Sequence, residues 1–145
     1  MPVLRELDRA ECERLLRRGT IGRLALCSRG GPDIVPVNYV VDGDSVVVRT
    51  TPDGLLARHG DGQRLALEVD LVDHERWHGW SVVARGTGEL VAAPSSGVLG
   101  APRPRPWADG DRTAELRLRW TELTGRSLGT VRDQEAGAYP QRPTR

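Results

Sequence analysis

The chain contains no lysine, and every one of its 21 basic residues is arginine. This rules out a Schiff base to an aldehyde cofactor, the lysine of a nucleotide-binding P-loop and a lysine general base, so any anion must be held by guanidinium groups, hydroxyls or backbone N–H groups. Phenylalanine is absent as well, and Ile21 and Ile34 are the only isoleucines, leaving Val, Leu, Ala and four tryptophans to fill a core. Two cysteines, Cys12 and Cys27, are too few for a disulfide scaffold. Cys12 falls in an expected helix and Cys27 in an expected strand, where each reads as a small buried side chain. No stretch approaches the ~18–20 apolar residues of a membrane helix. Acidic residues number 20, so the net charge of +1 gives no general pull toward nucleic acid or anionic lipid, and neither is an expected partner. With no charged-then-apolar leader at its start, the sequence reads as a cytoplasmic protein.

At 145 residues, with 38% hydrophobic and 28% charged side chains, the chain suits one globular domain. Asp8 followed by Glu11 is a capping-box spacing; Cys12, Leu15 and Leu16 then recur at helical intervals, and Gly19 stops the helix. Residues 21–28 read as a strand ending in a Gly-Gly-Pro turn. Asp33–Val41 and Ser45–Thr51 form the best hairpin in the sequence, joined at Asp42-Gly43-Asp44. Pro36 cannot donate to a ladder, which assigns it to an edge or a bulge and leaves nearby backbone free to face something else. Residues 53–60 suit a short helix started by Thr51 or Asp53. Long strands follow at 64–73 and 80–93, then a Pro- and Gly-rich excursion over 94–112, then a strand at 114–123 in which Leu116, Leu118 and Trp120 alternate with polar residues. The fold expected is mainly β: a six-stranded antiparallel barrel with an N-terminal helix and a short inserted helix, spanning residues 1–132, with 133–145 a disordered tail.

His74-Glu75-Arg76-Trp77-His78 matches the zinc-protease pattern letter for letter, but that pattern works on a helix, where both imidazoles share one face. Here a short connection between two strands has no room for it, and the third histidine, His59, lies upstream. A surface turn is expected and no metal. Arg49, Thr50 and Thr51 at a strand end offer a guanidinium and two hydroxyls beside a helix start, a set that can hold phosphate or can simply be a solvated turn. Glu68 and Asp70 share one strand face and are expected to pair with Arg64 or Arg49, a catalytic carboxylate pair being the alternative. Trp120 reads as core, whereas Trp80 and Trp107 are placed to line a site.

Several segments, in this order, carry a family resemblance: Gly22-Arg23-Leu24-Ala25, Ile34-Val35-Pro36-Val37-Asn38-Tyr39-Val40, Val48-Arg49-Thr50, Leu67-Glu68-Val69-Asp70, Gly79 to Gly86, Arg105-Pro106-Trp107 and Thr124-Gly125-Arg126. Over about residues 5–128 the chain resembles the pyridoxamine phosphate oxidase-like flavin-binding split barrels, in particular the small bacterial branch with deazaflavin-binding and nitroimidazole-reductase-type members. The resemblance implies a six-stranded split barrel that forms a homodimer, with flavin mononucleotide (FMN) in two equivalent grooves at the interface. It implies that Val35, Pro36, Val37 and Asn38 lie along the isoalloxazine and that Arg49, Thr50 and Thr51 hold the phosphate and ribityl chain. Trp80 and Ser81 would approach from a neighbouring strand, and Trp107 and Arg126 would close the site. The family commonly has a phosphate-binding lysine at the start of the short helix; Leu55 stands there in this chain, and Arg58 one turn on is the nearest substitute. The implied activity is that of a flavin-dependent oxidoreductase acting on a small molecule. The alternatives are a deazaflavin-dependent reductase and a dimeric barrel that binds a small ligand without a cofactor.

Overall fold

Residues 3–92 and 112–129 are described by the structure, a computed structural model. They form β1 (Val3–Glu6), α1 (Arg9–Arg18), β2 (Ile21–Ser28), β3 (Gly31–Asp42), β4 (Ser45–Thr50), α2 (Leu55–Gly60), β5 (Arg64–Asp73), β6 (His78–Ala92) and β7 (Ala114–Gly129). All neighbouring strands are antiparallel. They run β7-β4-β3-β2-β5-β6, and pairing of β6 with β7 closes the ring, so the six expected strands make a split barrel with β1 added outside β7. That seventh strand was not expected. Four residues are too few to show a period, and β1 exists because β7 runs on past Leu123 and offers Arg126 to Gly129 as a template.

The alternation of apolar and polar residues sets which face of each strand is buried. Leu24 and Leu26 of β2, Val46 and Val48 of β4, Leu65, Leu67 and Val69 of β5, Val82 of β6 and Leu116, Leu118 and Trp120 of β7 fill the barrel. Trp120 is core, as its spacing predicts. Cys12 is buried and Cys27 exposed, and both are free thiols. The β3–β4 hairpin turns at Gly43, whose φ of 60° suits the first of two loop residues. Along β6 and β7 the register slips between Arg85 and Gly86. A Cβ at Gly86 would lie 1.8 Å from the Arg119 carbonyl oxygen, so only glycine permits the two backbones to approach there.

The capping box of α1 forms as the sequence predicts: Glu11 N–H donates to Asp8 and Asp8 N–H donates to Glu11, both at 2.8 Å. This helix packs on β3, β6 and β7, where the buried Tyr39 hydroxyl donates to the Leu16 carbonyl at 2.6 Å. The second helix covers the opposite end, where Gly88 N–H donates to Gln63 and Gly62 N–H to Gly88. It begins at Leu55 rather than 53, with Gly54 as its N-cap and no side-chain cap from Thr51 or Asp53. Residues 74–77 are a turn, as expected, closed by Asp73 Oδ1 accepting from Glu75 and Arg76 N–H at 3.0 Å. Those two backbone donors, Arg76 first, hold the Asp73 carboxyl below its ordinary range. The zinc pattern is therefore not helical, and no cluster of three metal-ligating side chains occurs among the described residues. Nor is any described helix long and apolar enough to cross a membrane.

Candidate functional site

The barrel splits where β3 parts from β4. Tyr39 to Asp42 pair with Ser45 to Val48, but residues N-terminal to Tyr39 follow β2 while Arg49 and Thr50 follow β7. Tyr39 N–H donates to the Thr20 carbonyl. Alternation along the strand therefore points the N–H groups of Val37 and Val35 at β2 and turns Pro36 toward the split. Pro36 thus sits on an open edge, as expected, and its missing N–H costs no ladder bond.

A cavity of about 310 Å³ fills the split, a size in the usual range for a small-molecule site. Val35, Pro36, Val37 and Asn38 wall it on one side, and Val48 and Arg49 on the other. Of the residues that the family resemblance assigns to one site, the fold brings these five together, Val35 to Asn38 and Arg49. Ile21 and Leu56 add apolar surface, and Arg112, from the approach to β7, adds a second guanidinium. The Nε atoms of both Arg49 and Arg112 are buried without a hydrogen-bond partner among the described residues. A buried, unsatisfied cationic donor is costly, so the wall is built for an anion. No acid and no histidine lines this cavity among the described residues.

Other expected members lie elsewhere. Thr50 is buried and reaches only the Thr51 carbonyl, at 3.5 Å, and Thr51 accepts from Gly54 N–H at 3.1 Å; neither hydroxyl lines the cavity. Arg58 is exposed in the last turn of α2 and does not line it either. Leu55 packs against the core, so the start of α2 offers no cation. Trp80, Ser81 and Arg126 share a different, larger cavity of about 600 Å³ with Trp77 and Leu128. The expectation for Trp107 lies outside the described residues.

The two groups lie apart on the ring: Arg49 of β4 faces Glu115 of β7 while Arg126 is eleven residues farther along β7, and β2 and β5 lie between β3 and β6. Pro36 of β3 faces Arg23 of β2, which faces Glu68 of β5, which faces Val83 of β6. Across this bridge Glu68 and Asp70 pair with Arg23, whose Nε donates to Glu68 Oε2 at 2.8 Å, and not with Arg64 or Arg49 as expected. The register explains it, since β2 lies beside β5 whereas β4 does not. Both acids are ion-paired to the one Arg23, and Arg49 is left to the cavity.

Sequence reading missed Arg112 because it is the last residue of the irregular excursion. Its signal is nonlocal: Thr50 pairs with Ala114, so the residues just before β7 must pass the end of β4.

Comparison with known proteins agrees with this fold. A family model described as pyridoxamine 5'-phosphate oxidase matches residues 8–127. An uncharacterised protein of Mycobacterium tuberculosis, Rv0080, is 34% identical, with 72% of each chain covered. Among solved structures, an FAD-binding protein from Mycobacterium smegmatis superimposes with a TM-score of 0.66 at 26% identity, covering 86% of this chain and 98% of that one. One from Mesorhizobium loti, also described as FAD-binding, gives 0.65 at 22% identity over 86% and 98% and shares the fold.

Proposed function

Since the chain belongs to the pyridoxamine 5'-phosphate oxidase family, we propose that it is a flavin-binding oxidoreductase whose cofactor, FMN, sits where β3 and β4 separate. The observation that carries this reading is the buried, unpartnered Nε of Arg49 in a cavity whose other wall is the open edge of β3. FAD binding by the Mycobacterium smegmatis protein, 26% identical, supports a flavin in general, and FMN is the choice this reading makes among flavins.

The residues present suit such a cofactor. A flavin supplies hydride or electron transfer when bound, and the protein has to orient it and shield it. Arg49 presents a guanidinium fork to a phosphate. The carbonyl of Pro36 faces the split and can accept from a ring N–H. Val35, Val48 and Leu56 exclude water from one face. With no acid or histidine in the wall among the described residues, the site is equipped for electron transfer rather than acid–base work.

In this reading the protein acts as a homodimer. Within one chain Trp80, Ser81 and Arg126 line a cavity other than that of Arg49, and a second copy brings its own set across. The substrate is a small molecule that reaches the cofactor at that junction.

The test is an absorption titration of the purified protein with FMN, with melting temperature followed in parallel. The protein should show flavin bands that survive gel filtration and a higher melting point, and Arg49→Ala should lose both while melting normally without ligand. Neither signal in the wild type, with a response to a deazaflavin instead, would replace FMN by that cofactor. No response to either would leave a cofactor-free ligand-binding barrel.

A further inference from the structure

We infer that Arg112 is the second cation of this cavity and that, with Arg49, it selects a doubly charged phosphate, so that a phosphorylated flavin is taken in preference to riboflavin. The inference rests on the flavin reading above and adds a specificity residue to it.

Arg112 lines the same cavity as Arg49 and is tied to it, its Nη1 donating to the Arg49 carbonyl at 3.4 Å. Its Nε is buried and unpartnered like that of Arg49, and neither side chain makes an ion pair among the described residues. The one acid that the sheet sets opposite Arg49 is Glu115 of β7, and its carboxylate turns away to Arg117 Nη2 at 3.5 Å. Two guanidinium groups therefore share a wall otherwise made mainly of Ile21, Val35, Val37, Val48 and Leu56, with no carboxylate among them. Like charges in an apolar cavity repel, and the repulsion strengthens as water leaves. A single negative charge cannot compensate both. A phosphate monoester carries ~1.5 to 2 negative charges near neutral pH and three acceptor oxygens, enough to receive both forks.

No other cation lines this cavity among the described residues. At the start of α2 the residue is Leu55, packed on the core, and Arg58 points to solvent away from the cavity. The lead-in to β7 takes over the task because Thr50 and Ala114 are register partners, which carries Arg112 past the end of β4.

Two ligand series on the wild type and Arg112→Gln test this. Affinities for FMN and riboflavin are measured by fluorescence quenching, and stabilisation by inorganic phosphate and diphosphate by thermal shift, with chloride at matched ionic strength as control. Arg112→Gln should weaken FMN by about ten- to a hundredfold, the loss of one charged hydrogen-bond set, and leave riboflavin unchanged. Phosphate and diphosphate should raise the melting temperature of the wild type and not of the variant. An FMN-to-riboflavin preference equal to that of the wild type, or equal stabilisation of both proteins by diphosphate, would overturn the assignment. If the wild type ignores both flavins but answers diphosphate through Arg112, the anion pair stands and the flavin reading falls.

Discussion

The Glu11 carboxylate serves two partners at once. It takes Arg5 through both oxygens, at 2.8 and 3.0 Å, and accepts the Asp8 N–H at 2.8 Å. The Arg5 hydrogen bonds first, then the Asp8 N–H, hold its pKa below the ordinary value of 4.5. A carboxyl with a depressed folded-state pKa contributes stability above its unfolded pKa and loses it as pH falls through the folded value. Glu11→Gln keeps an acceptor for the Asp8 N–H but loses the charge that faces Arg5, so it should cost ~0.2–1 kcal/mol at neutral pH, and the gap to wild type should narrow on acidification. Urea midpoints across the acid range measure this; a gap independent of pH would mean that the carboxylate charge plays no part. Tyr39 shows the opposite influence, since burial alone pushes its phenol up and keeps it neutral as a donor to Leu16.

Elements built from local rules were legible and those built from register were not. The capping box of α1, the Gly43 turn and the alternation of β7 each depend on residues close in sequence, and each forms as read. Pro36 could be assigned to an edge because a missing donor has the same consequence in any sheet. β1 escaped notice because its only reason to be a strand is the far end of β7. Arg23 escaped as the partner of Glu68 and Asp70 for the same kind of reason, since strand order decides which arginine lies beside which acid. The candidate site divides likewise. Val35 to Asn38 and Arg49, assigned by resemblance, come from one hairpin and line one cavity. Arg112 arrives from more than 60 residues away and was missed. Trp80, Ser81 and Arg126 were assigned by resemblance, and the fold puts them beside one another but not beside Arg49.

Seen whole, the outer face of the sheet carries a row that a solitary barrel does not explain. Leu4, Leu128, Gly79 and Val72 are cross-strand neighbours over four strands, and their three side chains are 61%, 40% and 53% exposed. Trp77 stands beside them, 71% exposed and in the left-handed region at φ 53°, a conformation that costs a bulky residue energy. Contiguous exposed apolar surface of this kind marks an interaction face. The face adjoins Trp80, Ser81 and Arg126, the group that a second copy would bring to Arg49 in the dimer proposed above. Sedimentation should give twice 15.9 kDa for the wild type. Leu128→Glu and Val72→Glu should each yield a folded monomer that has also lost FMN. A monomer holding FMN as tightly as the wild type would show that one chain completes the site alone. The most direct measurement is a crystal structure of the protein grown with FMN. The phosphate should lie within hydrogen-bond distance of Arg49, with the ring along Val35 to Asn38 in the split between β3 and β4. A flavin bound anywhere else, or a phosphate held by Arg58 at the end of α2, would contradict the assignment.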